Sequence, residues 1–526
     1  AEGDAEVVSA VHGTIASLLP PVVAIGLALI TKEVYSSLFL GILVGCFLQV
    51  NGNPIDAFQF FVSHLCSNAG GNMGILMFLV ILGTMVALMI RAGGSKAYGD
   101  WAVSHIKTKS GALWSTFILA IVLGVDDYFN NLTTGNVMRP VTDGHHISRA
   151  KLSYMCDATA APVCIMMPVS SWAAAVTGII GNEEVGFQIF LKAIPYNYYA
   201  ILTLVFIVVM TCLNIDYGPM RKHENNAAKG DLYTTPERPF AGVEEMKFNP
   251  NGKVIDLVLP VLVLVGCCVG SMVYVGYQNG GTDLITAFAN TSAFDALPLG
   301  SLVALIFTMI FFMVRRAMSF TELMDCLPNG FKQMVPAILI LCLAWTIGDV
   351  TKGLGAPEFV AGIVKNLSGS LYALLPAVVF IIAAFLGFAT GTSWGTFTIL
   401  LPIVIPVFSG GIPAADLTSE LINGNDMLMI AIAATLGGAV MGDHCSPISD
   451  TTIMASSGAQ CYHLNHVATQ LPYAVTVAVV AFVNYIITAF IQVPFICLPI
   501  AIVSMVVVML VIGKVNHSMN RHSQRD

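Results

Sequence analysis

The sequence predicts an all-α polytopic membrane protein made of two inverted-topology repeats with broken helices. Three observations predict it. The 526 residues are 56% hydrophobic and only 10% charged, against roughly 25% charged in soluble domains. Runs such as MGILMFLVILGTMVALMI (73–90) and PLGSLVALIFTMIFFMV (298–314) carry no charge and approach the roughly 17 to 25 residues that span hydrocarbon. Basic residues and polar interruptions recur in corresponding places of the two halves. Lipid cannot satisfy free backbone groups, so such a chain is mostly helix.

Apolar runs place spanning elements at 14–30, 34–50, 73–90, 112–125, 196–215, 254–277, 298–314, 335–350, 371–388, 427–441, 471–491 and 493–512. Lysine and arginine orient them, because cytoplasmic loops carry the excess. Arg91, Lys96, Lys107 and Lys109 follow the third run. Six basic residues from Arg221 to Lys253 fill the long polar segment after the fifth, and Arg315, Arg316 and Lys332 follow the seventh. These regions are expected to be cytoplasmic, and the loops 51–72 and 278–297, free of lysine and arginine, external. The first three runs then alternate in one sense, and the runs from 254, 298 and 335 in the opposite sense. Lys352 and Lys365 fall on the expected outside and are the exceptions. The division is a first membrane repeat at 1–215, a cytoplasmic polar linker at 216–253, a second repeat at 254–491, and an extra helix with a basic cytoplasmic tail at 492–526.

Local motifs follow the same duplication. GVDDYFNNLTTGNVMRP (124–140) answers GFATGTSWGTFTILLP (387–402), and DATAAPVCIMMPVSS from Asp157 answers DHCSPISDTTIMASS from Asp443. Paired interruptions in an inverted repeat point to a transporter's midplane site, where freed carbonyls and half-helix ends meet the substrate. Carboxylates there cost about 2.5 to 3.5 kcal/mol on insertion scales, so a cation or a proton must compensate them. A group that takes either makes Na+ and H+ compete. The candidate site residues are Asp126, Asp127, Asn130, Asn131 and Thr133 in the first interruption, and Asp157, Thr159, Ser170, Ser171 and Trp172 in the second. The second half adds Thr392, Ser393 and Trp394, then Asp443, His444, Ser446, Asp450 and Thr451. Only one of Asp126 and Asp127 is expected to face the site. Arg139 and Arg149 read as topology charges or as partners of a substrate carboxylate, and Asp349 as a site member or a helix-end residue.

The stretches DDYFNNLTTGNVMRPVTD, ISRAKLSYMCDATAAPVCIMMPVSSW and GDHCSPISDTTI together resemble the NhaC family of Na+/H+ antiporters, within the ion transporter superfamily. The resemblance runs from about Leu123 to His466. It implies a carrier of the bacterial inner membrane with a re-entrant hairpin in each repeat. It further implies a homodimer working as an elevator, its transport domain moving against a scaffold. Carried onto matching positions, it implies a site of Asp157, Ser170, Ser171, Thr392, Ser393, Asp443, Ser446 and Asp450, with Asp157, Ser170, Asp443 and Asp450 as Na+ ligands.

The function expected is secondary transport with no cofactor, Na+ and H+ being the transported or coupling ions in a lipid bilayer. A second reading is coupled carriage of a small organic acid or amino acid, since the polar content of both interruptions exceeds the six or so oxygens that a hard cation takes. No HExxH spacing supports a membrane metallohydrolase. The net charge of −8 and the lack of any basic cluster give no case for nucleic acid. Twelve cysteines without a CxxC read as small buried apolar residues. The first ten residues, AEGDAEVVSA, lack the basic region of a signal peptide.

Overall fold

The computed structural model describes residues 11–31, 33–124, 127–168, 170–180, 183–239, 249–356, 358–359, 372–410, 412 and 414–523. All regular structure among them is helical. Each expected apolar run lies on a helix or overlaps one, from Leu19–Thr31 to Pro494–Ser523. Among the described residues six helices are long and apolar enough to cross a bilayer, or eight if two bent pairs each count as one span. The large apolar side chains left exposed on Ile255–Gln278, Ala293–Val314 and Pro494–Ser523, such as Leu262, Ile306 and Val503, make a surface suited to lipid. Among the described residues no disulfide joins any of the twelve cysteines.

Segment 51–72 differs from its expectation. Instead of a loop it contains the Pro54–Gly71 helix, capped by the Asn53 side chain and bent 120° from the preceding span. Its row of polar residues, including His64 and Asn68, hides the helix from a hydropathy reading. His64 Nδ1 lies 2.7 Å from Asp349 Oδ2, and Asn68 donates to the same oxygen at 3.1 Å.

The helices form two packed groups. Val34–Gln49, Pro54–Gly71, Met73–Arg91, Ile255–Gln278, Ala293–Val314 and Phe320–Gly353 make the first. The second holds the interrupted segments with Tyr198–Leu213 and His463–Ile491. In the first half Lys109–Val122 and Asp127–Gly144 precede Arg149–Cys164 and Ser171–Ile180; in the second, Leu375–Thr390 and Ser393–Phe408 precede Asp426–Cys445 and Asp450–Gly458. Each half thus offers a helical hairpin followed by a broken helix.

Small residues set the closest contact in the second group. A Cβ on Gly442 would stand 2.1 Å from the Ala384 carbonyl oxygen, and one on Gly438 2.4 Å from that of Phe380. Glycines one turn apart therefore let Leu375–Thr390 lie against Asp426–Cys445, the means by which membrane helices gain packing without a hydrophobic drive between them.

Several basic residues, some of those used for orientation and Lys151 besides, are paired with acids. Arg91 bonds Glu322 at 3.0 Å and Arg315 bonds Asp256 at 3.1 Å. Lys109 pairs with Glu224 and Lys151 with Asp216. Glu224 belongs to the Gly218–Ala227 helix, which ties the polar linker to the second group.

Candidate functional site

The site begins with the four interruptions. In the third, Gly391 takes φ +67° at the end of Leu375–Thr390, the left-handed region that glycine enters without strain. A Cβ there would sit 2.4 Å from the Ile448 carbonyl oxygen, so the third and fourth interruptions press together. The Asp450 amide donates to the Gly391 carbonyl at 3.2 Å across this contact. The fourth interruption spans Ser446 to Ser449 around Pro447, and Ser449 caps the new helix by accepting from the Thr452 amide.

Three acids gather around these breaks, all buried. Asp157 Oδ2 accepts from Gln470 Nε2 at 2.6 Å, Thr452 Oγ1 at 2.8 Å and His466 Nε2 at 3.2 Å. Asp443 Oδ2 accepts from Thr451 Oγ1 at 3.2 Å. Asp450 accepts from the Tyr128 hydroxyl at 2.8 Å and from the Thr451 amide at 2.8 Å. Asp443 has Asp450 and Asp157 as its charged neighbours. The second oxygens of Asp157 and Asp443 have no closely aligned hydrogen-bond partner among the described residues, nor have the Thr133 hydroxyl and the Asn131 amide, all buried; the Ser393 and Ser449 hydroxyls stand beside Asp443. Orphaned buried oxygens are rare and costly, and carboxylate, amide and hydroxyl oxygens are the donor set of a hard cation.

Asp127 forms a second node. Its Oδ2 accepts from the Trp172 indole at 3.1 Å and from the Trp394 indole at 3.2 Å, and the two rings meet edge to face with centroids 5.7 Å apart. One carboxylate thereby joins an interruption of the second half to two of the first. Asp126 lies outside the described residues, as does the Ser171 side chain.

Other candidates bond elsewhere than to these acids. Ser170 closes the second interruption: its hydroxyl donates to the Cys164 carbonyl at 2.7 Å and accepts from the Ala173 amide, away from the three acids. Thr159 bonds back to the Met155 carbonyl at 2.6 Å. Asn130 donates to the Ala120 carbonyl at 2.8 Å and accepts from Thr134. Ser446 donates to the Phe388 carbonyl at 2.8 Å, and Thr392 caps Ser393–Phe408. His444 faces Tyr199, Nδ1 to hydroxyl 3.0 Å, while its carbonyl accepts from Gln470. Arg149 holds Asp143 with two bonds of 2.7 and 2.8 Å, so its guanidinium pairs within the chain. Among the described residues no three histidine, cysteine or acidic side chains converge as a metal clamp; Asp157, Asp443 and Asp450 are linked through the adjacent Thr451 and Thr452, which bond to all three. Ser170 joins none of them.

Tyr128, Thr452, His466 and Gln470 complete the cluster and were not among the expected site residues. His466 and Gln470 are four apart, on one face of His463–Ile491. Two polar side chains at that spacing just ahead of an apolar run are the signal that could have found them.

Interrupted helices that bring buried carboxylates together inside a polytopic helical bundle are an arrangement suited to secondary active transport. Residues 163–490 match the Na+/H+ antiporter family, and the chain belongs to it. An uncharacterized protein of Haemophilus influenzae is 35% identical over 90% of this chain and 91% of its own. The malate-2H(+)/Na(+)-lactate antiporter of Bacillus subtilis is 28% identical over 34% of this chain and 35% of its own. Among solved structures, the YdaH transporter of Alcanivorax borkumensis is 12% identical, with a TM-score of 0.35 over 84% of this chain and 90% of that one.

Proposed function

We propose that the protein exchanges Na+ for H+, the two competing for Asp157, Asp443 and Asp450. The observation that carries this reading is the pair of buried carboxylate oxygens, one on Asp157 and one on Asp443, without a closely aligned hydrogen-bond partner among the described residues. A dehydrated Na+ at these oxygens offsets the cost of burying the charge, and a proton on either acid offsets it equally well. Gln470, Thr452 and His466 orient Asp157 by fixing its other oxygen, and Thr451 does the same for Asp443. His466 is the only basic side chain among the described residues paired with these acids. The Bacillus relative's name couples Na+ and H+ movement, which supports the choice of ions.

In the cycle proposed, deprotonated Asp157 and Asp443 take Na+ from one side. The interrupted group then slides against the first group and opens the site to the other side. Protonation releases the ion and resets the carrier.

The test is lumenal pH in proteoliposomes under an imposed Na+ gradient. Wild-type protein is expected to move protons, with flux falling at least about tenfold in Asp157→Asn and in Asp443→Asn while both stay folded. Unchanged flux in either variant removes that residue from the ion site. Silence in the wild type rejects simple cation exchange.

A further inference from the structure

A cavity of ≈ 500 Å³ opens between the Glu183–Ala193, Asp426–Cys445 and Pro494–Ser523 helices, within the roughly 300 to 1,000 Å³ of sites that hold small molecules. It lies far from the polar linker. Tyr196 lines it, and the 16-residue helix that follows, Tyr198–Leu213, runs about 24 Å from there toward the linker. None of Asp157, Asp443 and Asp450 lines it. Its walls are apolar, made by Ile422, Met429, Pro494, Phe495 and Leu498. Phe495 is 90% exposed, on the same helix as the exposed Ile496 and Val503, so the mouth opens toward the bilayer.

Two opposite charges stand at this mouth. Lys192 Nζ donates to Asn423 Oδ1 at 2.5 Å and has no ion-pair partner among the described residues. Asp426 opens the first turn of its helix, where a negative charge is favoured, and stands beside the Tyr196 hydroxyl. That hydroxyl donates to the Gln492 carbonyl at 3.0 Å and so pins the turn that leads into Pro494–Ser523. Lys192 and Asp426 belong to different helices, 234 positions apart in sequence. Lysine and tyrosine with apolar bodies and polar tips are the side chains that reach from hydrocarbon to headgroup level.

We propose that this cavity seats an acyl chain of a zwitterionic phospholipid, its phosphate against Lys192 and its amine beside Asp426. A free phosphate ester leaves the apolar walls without a partner. An acidic phospholipid fills them and satisfies Lys192, but sets its surplus charge near Asp426. A lipid carrying phosphate and amine together complements the walls and both charges. The seated chain joins Met429, on the helix that carries Asp443, to Leu498 on the last helix, so the lipid braces the second group. The inference makes no use of the ions carried and stands apart from the cation reading.

The experiment uses the purified full-length chain, delipidated in detergent. Thermal unfolding is recorded with phosphatidylethanolamine, phosphatidylcholine and phosphatidylglycerol of the same acyl chains, and with O-phosphoethanolamine as a headgroup without tails. Phosphatidylethanolamine is expected to raise the melting temperature most, by several degrees, the other two lipids less and the bare headgroup not at all. Lys192→Gln is expected to raise the phosphatidylethanolamine concentration giving half the shift at least about fivefold. Asp426→Asn is expected to bring phosphatidylglycerol level with phosphatidylethanolamine, a change of preference that misfolding does not produce. Leu498→Trp, which fills the cavity, is expected to abolish the response, and Val503→Trp, farther along the same helix, to leave it unchanged. The proposal is overturned if no lipid responds, if the three lipids or the bare headgroup respond equally, if phosphatidylglycerol is preferred by the wild type, or if Lys192→Gln or Leu498→Trp keeps the full response.

Discussion

Asp127 receives two indole N–H bonds on a single oxygen, and hydrogen bonds to charged groups are worth about 1.5 to 3 kcal/mol each. Because the donors share one acceptor, either compensates in part for loss of the other. Trp172→Phe and Trp394→Phe are each expected to lower the melting temperature modestly and the double variant to cost more than their sum, by about 1 kcal/mol of coupling; strict additivity in a double-mutant cycle would show that the indoles only pack. At this scale the sequence disclosed the acids, because Asp inside an apolar chain is conspicuous. It did not disclose which hydroxyls and amides serve them. Ser170, Thr159 and Ser446 share the composition of site residues, yet Thr159 and Ser170 bond to carbonyls four and six residues back, an outcome open to any Ser or Thr, and Ser446 reaches the Phe388 carbonyl on a neighbouring helix. Gln470 and His466 escaped notice for the opposite reason, since the apolar run read as starting at 471 left them in a presumed loop.

Elements with a continuous apolar face were legible, and those whose faces meet polar protein were not. Met73–Arg91 matches its expected run closely, whereas Pro54–Gly71 carries His64, Asn68 and Gln59 and reads as loop until a partner helix is known. The motif pairing was partly deceptive in the same way. Asp157 sits seven residues before the end of its helix at Cys164 and Asp443 two before Cys445, so the shared spacing of acid and serine pair does not mark equivalent positions at the breaks. Glycine packing gives an element-scale prediction. Gly442→Val pushes a side chain onto the Ala384 carbonyl and is expected to cost about 1 to 3 kcal/mol, read as a lower melting temperature. Gly266→Ala, with nothing within 4 Å of its new methyl, is expected to be neutral. A second prediction concerns Gly218–Ala227. Burial pushes the His223 imidazole below its ordinary value of 6.5, Lys222 adds to the push, and Glu224 and Asp231 oppose it. A histidine depressed in the fold stabilises it while neutral, and that contribution is lost as pH falls below 6.5 toward the folded value. Amide protection over 218–227 is expected to drop between about pH 7.5 and about pH 5.5 in the wild type and to stay flat in His223→Leu; an unchanged slope in the variant assigns the effect elsewhere.

At the scale of the whole molecule, the membrane class, the apolar runs and the recurrence of interruptions followed from composition and pattern, which every residue reports. The meeting of the two groups depends on side chains far apart in the chain. The bond between Tyr128 and Asp450 crosses 322 positions of sequence. At about 5 to 20 residues per second of synthesis, roughly 16 to 64 s separate the emergence of the two. During that interval the first half enters the bilayer with Asp157 lacking Thr452, His466 and Gln470, and Asp127 lacking one of its indoles. Biogenesis therefore passes through a half-built protein in which Asp157 has none of these three partners and Asp127 keeps only the Trp172 indole, so synthesis of the second half completes the polar environment of acids made in the first.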